Sequence, residues 1–199
     1  MSLAYSRGVA AATVSNHVLV IKRFFGFLLA EGYIEEDPSQ RLPRPKVGKR
    51  LPKALTITQA QDLFAAFKGE TPTERRDQMF FQLVYVCGLR VSEAANLRLK
   101  DIDFAEGTLL VIGKGDKERQ VYLKPNLLRA LKEYIAESKP RTYLFSGRGG
   151  DKPITFRNMD ARFEQYVRAA GLPDRVIPHT LRHSIAVHYL INGALITFV

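Results

Sequence analysis

Two short apolar runs, Thr108-Leu-Leu-Val-Ile112 and Gln120-Val-Tyr-Leu123, decide the fold class of this sequence. Both have the β-branched and aliphatic composition of strands, whereas the chain on either side repeats apolar residues every three or four positions. The segment between them, Gly113-Lys-Gly-Asp-Lys-Glu-Arg119, carries two glycines and predicts the turn of an antiparallel hairpin. We therefore expect an α+β fold that is mostly helical, with a small antiparallel sheet.

Helical patterns surround the hairpin. We predict helices over residues 11–32, 59–68, 73–86, 92–99, 126–137, 156–170 and 180–191. Thr58 and Ser92 are the expected N-caps of the second and fourth of these helices. The one or two helices before residue 42 cannot bury much surface alone, so this piece is interpreted as the end of a helical domain whose beginning is absent.

Composition places the chain among ordinary globular proteins. Of its 199 residues, 46% are apolar and 25% are charged, which excludes disordered and fibrous classes. The most apolar stretch, residues 18–30, is interrupted by Lys22 and Arg23, and no secretory signal is recognisable, so we expect a cytoplasmic protein without a membrane partner. Cys87 is the single cysteine, which excludes an intrachain disulfide and a cysteine-rich zinc module.

The charge predicts a polyanionic partner. Thirty Lys and Arg against twenty Asp and Glu give a net charge of +10, and phosphate contacts release condensed counterions. Six basic residues fall within thirteen positions that contain no acid: Arg41, Arg44, Lys46, Lys49, Arg50 and Lys53. Three prolines in the same stretch argue against a helix there. Residues 43–53 therefore resemble a connector that follows a phosphate backbone between two packed units, or a solvated linker, and the two are not exclusive.

Two candidate phosphate ligands lie at predicted turns. Arg90 follows a glycine-marked helix end and precedes a capped helix, a position suited to anion binding, although it could simply pair with Glu93 at the surface. Lys114 lies between two glycines, so the backbone there can approach a ligand closely. A Gly-Lys-Gly turn is also an ordinary hairpin turn, and this alternative stays open.

A third candidate group begins the last predicted helix. His179 and Arg182 lie three residues apart on one face, near free N–H groups that favour a phosphate. His179 and His183 could instead bind a metal, with His188 as a further ligand. Thr180, however, stands where a metalloprotease helix has glutamate. A buried or capping role is the more ordinary alternative for any of these histidines.

Together, the three patterns resemble the tyrosine recombinase (phage integrase) family, particularly its Xer-like members. Residues 88–93 (Gly-Leu-Arg-Val-Ser-Glu) resemble its first arginine box, 113–119 its hairpin lysine segment, and 179–183 (His-Thr-Leu-Arg-His) its second box. The resemblance implies three regions: residues 1–42 as the end of the helical core-binding domain, 43–53 as a basic linker, and 54–199 as the catalytic domain.

The resemblance implies site-specific DNA recombination by cofactor-free, metal-independent strand cleavage and rejoining. In the family, a tyrosine attacks the scissile phosphate and leaves a 3′-phosphotyrosine and a free 5′-hydroxyl. Arg90 and Arg182 would stabilise the transition state, Lys114 would protonate the departing 5′-oxygen, and His179 would assist proton transfer or hold the phosphate. Lys117, Arg119 and the basic residues of the connector would contact double-stranded DNA, on which the family works as a tetramer.

The sequence departs from the family after the second box. The family continues into a Leu-Gly-His segment and the nucleophilic tyrosine, neither of which occurs between Arg182 and Val199. We therefore expect a recombinase fragment, monomeric or dimeric, that does not cut DNA alone, with Tyr189 as a packing residue. The alternative is a non-catalytic DNA-binding remnant or regulator. A type IB topoisomerase shares the chemistry, but the core-binding segment and the Gly-Leu-Arg box favour a recombinase.

Overall fold

The structure, a computed structural model, describes residues 8–46, 54–113, 115–147 and 152–191. The chain forms two compact units, residues 1–51 and 52–199. The sequence predictions for Lys49, Arg50, Lys53 and Lys114 lie outside the described residues. The assignment of these units to recombinase domains stays a prediction.

The first unit consists of helix α1, Ala11–Ala30, and the turns that follow it. The chain after the helix returns along it: Lys22 Nζ donates to the carbonyl oxygen of Gln40 at 3.1 Å. Arg44 Nε donates to the buried Ser15 Oγ at 2.9 Å. These two bonds fasten the start of the basic connector to α1.

Helix α1 ends two residues before the predicted position and is long and apolar enough to match a membrane span. Its mean hydropathy of 1.2 over 18 residues permits a membrane span by length and composition, although such a match is weak evidence for one. Lys22 and Arg23 lie near its middle, where each charge would cost roughly 2.5–3.5 kcal/mol in a bilayer centre. Lys22 is bonded to the protein's own main chain. The absence of a membrane partner therefore stays a prediction.

The second unit confirms the expected α+β class, mostly helical with a small antiparallel sheet. In chain order it contains α2 Ile57–Ala65, α3 Pro72–Val86, α4 Val91–Ala95, a 3₁₀ turn Leu99–Asp101, β1 Ile102–Asp103, β2 Thr108–Ile112, β3 Glu118–Tyr122, α5 Pro125–Ser138, α6 Phe156–Ala169 and α7 Pro178–Ile191. The strands form one sheet in the order β1-β2-β3, antiparallel throughout. Helix α3 packs against α5 and α7 in the core.

Two of the predicted helix caps were wrong. Helix α2 is capped by Thr56 rather than Thr58: Thr56 Oγ1 accepts from the Gln59 N–H at 3.1 Å, and the Gln59 side chain accepts from the Thr56 N–H at 3.0 Å. A reciprocal capping box needs a side-chain acceptor three residues after the cap. Gln59 meets this condition for a cap at Thr56, so the helix begins at Ile57. The cap position of α4 is Arg90, and Ser92 lies inside the first turn.

The hairpin turn is shorter than the sequence predicted. Strand β3 begins at Glu118, so the turn occupies residues 113–117 and closes with a 2.8 Å hydrogen bond from the Gly113 N–H to the Lys117 carbonyl. Asp116 has a φ of 54°, a left-handed conformation that aspartate tolerates in turns. The β2–β3 hairpin itself is confirmed.

Helix α3 organises the core and ends at the candidate site. Phe80, Phe81 and Leu83 of α3 are completely buried. The helix stops before Gly88, whose φ of 58° is a conformation that few other residues adopt without strain. This turn leads directly into α4, so Arg90 stands where three helices, α3, α4 and α7, approach one another.

Candidate functional site

A buried carboxylate, that of Glu93, lies at the centre of the site. Its side chain is 4% exposed and belongs to the first turn of α4. One oxygen accepts from Arg90 Nη1 at 2.7 Å, and the other accepts from the Arg90 main-chain N–H at 2.8 Å. Arg119 of β3 donates to both oxygens, at 3.1 and 2.7 Å. Glu93 thus joins the start of α4 to the hairpin.

Arg182 brings a third guanidinium from α7. Its Nη1 donates to the carbonyl oxygen of Gly88 and lies 3.8 Å from Glu93 Oε2. Burial lowers the pKa of Arg182, and the neighbouring Arg90 charge lowers it further. Three guanidiniums around one carboxylate leave two positive charges in excess, so the site favours a phosphate that carries negative charge.

The pKa of Glu93 shows how strongly these arginines hold the carboxylate charged. Burial alone would raise the pKa of Glu93, but hydrogen bonds from the Arg119 side chain and from the Arg90 backbone and side chain outweigh burial and lower it to about 2. Glu93 is therefore ionised over the whole physiological range. It works as a fixed negative anchor and has no role as a proton carrier.

His179 shares a cavity with Arg90. The cavity has a volume of about 770 Å³ and is lined by both residues together with apolar side chains. Asp160, Glu164 and Asp174 also line it. Burial raises the pKa of Asp160. The structure therefore brings the exposed His179 of the first α7 turn to the same opening as the first predicted arginine.

The turn that carries Lys114 begins next to the arginines. Lys114 itself lies outside the described residues, but its neighbour Gly113 is described. A Cβ added at Gly113 would lie 3.7 Å from both Glu93 Oε1 and Arg119 Nη1. The first residue of the predicted lysine turn thus lies next to the Glu93–Arg119 pair.

The predicted DNA contacts fall into two groups. The side chains of Arg41, Lys46 and Lys117 are exposed to solvent, as a backbone contact requires. Arg44 and Arg119 instead donate to partners within the protein, Ser15 Oγ and the Glu93 carboxylate.

The histidines give no metal centre in the part of the chain that the structure describes. Both ring nitrogens of the buried His188 are engaged: Nδ1 with the Tyr85 hydroxyl at 2.7 Å and Nε2 with the Leu55 carbonyl at 2.8 Å. Within the described ranges, no group of three or more His, Cys, Asp or Glu side chains is placed to hold an ion. His188 has the buried structural role that the ordinary alternative expected.

Sequence reasoning missed the role of Glu93. The sequence suggested a pair between Glu93 and Arg90 only as a surface alternative. In the structure the carboxylate is buried and lies next to three arginines. A signal was present: glutamate three residues after a cap position completes a capping box, and Glu93 occupies that N3 position. The partner Arg119, 26 residues away, could not be read from local spacing.

Comparisons with known proteins identify the family of this chain. The profile of the phage integrase family matches residues 53–199. The tyrosine recombinase XerD of Lacticaseibacillus casei is 37% identical over 195 residues, covering 93% of this chain and 65% of the relative. The tyrosine recombinase XerC of Halalkalibacterium halodurans is 35% identical over 206 residues, covering 98% and 67%. The chain thus spans about two thirds of the length of these relatives.

Solved structures show the same fold. The XerH site-specific recombinase bound to palindromic difH substrate, in a post-cleavage complex, matches with a TM-score of 0.81 and 25% identity, covering 97% of this chain and 60% of that one. The Tn1549 transposon integrase in complex with transposon right-end DNA matches with a TM-score of 0.82 and 18% identity, covering 96% and 70%. The second likeness shows the fold alone.

Fold and site together define a mostly helical domain with a small antiparallel sheet, in which three guanidiniums surround one buried carboxylate. This chain belongs to the phage integrase family, and within it to the Xer-like tyrosine recombinases. The resemblance drawn from the three sequence boxes is confirmed.

Proposed function

We propose that this chain forms the phosphate-activating part of an enzyme for site-specific DNA recombination. The observation that carries the proposal is the convergence of Arg90 and Arg182 on the buried Glu93. The relatives are named tyrosine recombinases, and the XerH structure is a complex with its DNA substrate. In this proposal residues 1–42 are the end of the core-binding domain, 43–53 the linker and 54–199 the catalytic domain.

In the proposed reaction, a tyrosine oxygen attacks the scissile phosphorus and the bond to the 5′-oxygen breaks. The transition state carries extra negative charge on the non-bridging oxygens, and the forks of Arg90 and Arg182 donate to them. Losing one such donor costs roughly 3–4 kcal/mol of barrier. Lys114 gives its proton to the departing 5′-oxygen, and His179 receives the tyrosine proton or holds the phosphate. The phosphotyrosine conserves the phosphodiester bond energy for rejoining.

We also propose that these 199 residues bind DNA but do not cut it alone. The hydroxyls of Tyr85 and Tyr166 are bonded to His188 and Asp77. The Tyr189 ring lies 5.3 Å from Lys124 Nζ, which supports its role as a packing residue. These three tyrosines thus each have a partner within the protein.

Double-stranded DNA is the proposed partner, with phosphate contacts from exposed basic residues. Among the predicted contacts, Arg41, Lys46 and Lys117 are described and exposed to solvent. The net charge of +10 and the XerH structure, which is bound to palindromic difH substrate, support this assignment. Affinity should therefore fall steeply with salt, by about one released counterion for each phosphate contacted.

The decisive experiment detects covalent protein–DNA adducts. The chain is incubated with labelled duplex carrying a Xer recombination site, alone and with an intact Xer relative, and denaturing gels separate the adducts by mass. We expect no adduct with the chain alone and, in the mixture, adducts on the relative only. An adduct on this chain would contradict the proposal that it does not cut alone. Failure to bind duplex even at low salt would overturn the proposed function as a whole.

A second reading, a DNA-binding regulator derived from an integrase, makes a different prediction. Such a protein would occupy the site and reduce the relative's adduct yield in proportion to occupancy. Arg90→Ala would weaken that inhibition only modestly, because the larger contribution of Arg90 belongs to the transition state. If the chain instead assembles productively, the wild type would sustain adduct formation and the variant would lower it.

A further inference from the structure

Arg119, which the sequence predicts as a DNA contact, forms an ion pair with Glu93 inside the protein. Both terminal nitrogens of Arg119 donate to Glu93, one to each oxygen, at 3.1 and 2.7 Å. The carboxylate is 4% exposed and the guanidinium side chain 36% exposed. A parallel two-bond pair of this kind fixes the orientation of both groups, which a single-point contact does not.

The position of Arg119 in the sheet places it on the inner face. Arg119 of β3 pairs with Val111 of β2, and Val111 is buried. Its neighbours Glu118 and Gln120 alternate to the outer, exposed face. A strand residue that served the DNA backbone would lie among the exposed side chains, whereas Arg119 is directed toward α4.

The turn itself packs on this pair. A Cβ at Gly113 would lie 3.4 Å from the Lys117 carbonyl and 3.7 Å from the nearest atoms of both Glu93 and Arg119. The Gly113 N–H closes the turn on that same carbonyl at 2.8 Å. The backbone of Gly113 therefore lies beside the ion pair, with room between them for little more than one added carbon atom.

From this geometry we propose that Arg119 is a positioning residue that holds Gly113, where the chain leaves β2, at a fixed place relative to Arg90, and that it does not bind DNA phosphate. Glu93 is the common anchor, because each of its two oxygens accepts a hydrogen bond from Arg90 and another from Arg119. The catalytic use of the turn rests on the proposed function. The link between Arg119, Glu93 and the turn does not depend on DNA binding.

The first test separates phosphate binding from positioning. Duplex affinity of the 199-residue chain is measured against salt for Arg119→Met and for the matched control Lys117→Met, an exposed residue of the same turn. We expect Lys117→Met to reduce the slope of log affinity against log salt by about 0.9. Arg119→Met should leave the slope within error of wild type. An equal reduction for Arg119→Met would overturn the proposal.

The second test measures how often the turn opens at Gly113. Amide hydrogen exchange at Gly113 should accelerate about tenfold in Arg119→Met, while core amides such as that of Leu83 keep their wild-type rates. Arg119→Lys, which keeps the charge but cannot form the fork, should fall between the two. In a Glu93→Gln background the effect of Arg119→Met should shrink, because the pair has already been weakened.

The binding and exchange measurements together distinguish failure of the proposed function from failure of the positioning role of Arg119. If no protein binds duplex, the proposed function fails, while the exchange data still decide the role of Arg119. If the exchange effects of Arg119→Met and Glu93→Gln add independently, or if the Gly113 rate does not change, the positioning role is refuted. Arg119→Lys provides the same readout if Arg119→Met does not fold.

Discussion

The Nε2 atom of His188 lies 2.8 Å from the carbonyl oxygen of Leu55, 133 residues earlier in the chain. The other main-chain group of Leu55, its N–H, donates to Ser184 Oγ at 2.8 Å. Helix α7 therefore holds both polar groups of this buried residue, close to the point where the connector enters the second unit. The same helix carries His179 and Arg182, so α7 both binds the start of the second unit at Leu55 and positions two residues of the candidate site.

Replacing His188 should destabilise this support. A carbonyl can only accept, so Nε2 carries the hydrogen and Nδ1 accepts from the Tyr85 hydroxyl. His188→Ala leaves two polar groups without partners, and we expect the free energy of unfolding to fall by about 2–4 kcal/mol. His188→Gln, whose amide can still donate to Leu55, should lose less. Urea denaturation measures both, with the exposed His17→Ala as a neutral control.

The sequence was informative where local chemistry determines structure. The change of period at residues 108–123 gave the hairpin, and the glycine-marked end of α3 gave the position of Arg90. The three boxes led to the family because each is a contiguous run. Local spacing also placed His179 and Arg182 on one helix, which the structure shows.

Contacts between distant segments could not be predicted in this way. Glu93 and Arg119 are 26 residues apart, and Leu55 and His188 are 133 apart. Each residue by itself is compatible with a solvated surface, and only packing of the elements shows that the carboxylate and the imidazole are buried. For the same reason the local sequence around Arg119 predicts a DNA contact and gives no sign of its bond to Glu93.

A second buried network should control stability without affecting the site. Asp77 of α3 is completely buried and accepts from Arg76, Arg162 and the Tyr166 hydroxyl. Asp77→Ala leaves two half-buried guanidiniums unpaired, and we expect it to lower the free energy of unfolding by about 3–5 kcal/mol. The exposed Asp62→Ala should stay within about 0.5 kcal/mol of wild type. A loss below 1 kcal/mol for Asp77→Ala would contradict this account.

Acid should weaken the fold through Glu93. Its pKa of about 2 lies below the unfolded value near 4.5, so the charged form stabilises the folded state above pH 4.5. This stabilisation, about 3 kcal/mol, is lost as the pH falls from 4.5 to 2. Urea titrations at successive pH values should show a shallower loss in Glu93→Gln than in wild type. The exposed Glu118→Gln should reproduce the wild-type slope.

The thiol of Cys87 should be nearly inert in the folded protein. Burial raises its pKa to about 12, so the reactive thiolate is scarce at neutral pH. At pH 8 we expect alkylation by iodoacetamide on the order of a thousandfold slower than for a free cysteine. Denaturation in urea should restore the ordinary rate. A folded-state rate within tenfold of free cysteine would show that the C-terminal end of α3 opens readily.

The last prediction concerns the pocket that the arginines form. Arg182→Ala removes a donor whose place beside Glu93 is fixed by its bond to Gly88, and we expect affinity for inorganic orthovanadate, an analogue of the phosphoryl group, to fall about 10- to 100-fold. Arg182→Lys should recover little of it, because an ammonium lacks the planar fork.

Arg98→Ala serves as the control for that measurement, since the Arg98 guanidinium lies over the Tyr143 ring, 5.5 Å from its centre. Calorimetric titration of each variant with orthovanadate gives the comparison, and duplex affinity measured in parallel should change only about threefold for Arg182→Ala, because its larger contribution belongs to the transition state. If Arg98→Ala weakens orthovanadate binding as much as Arg182→Ala does, then the anion binds through diffuse basic charge, and the three guanidiniums around Glu93 do not form the phosphate pocket.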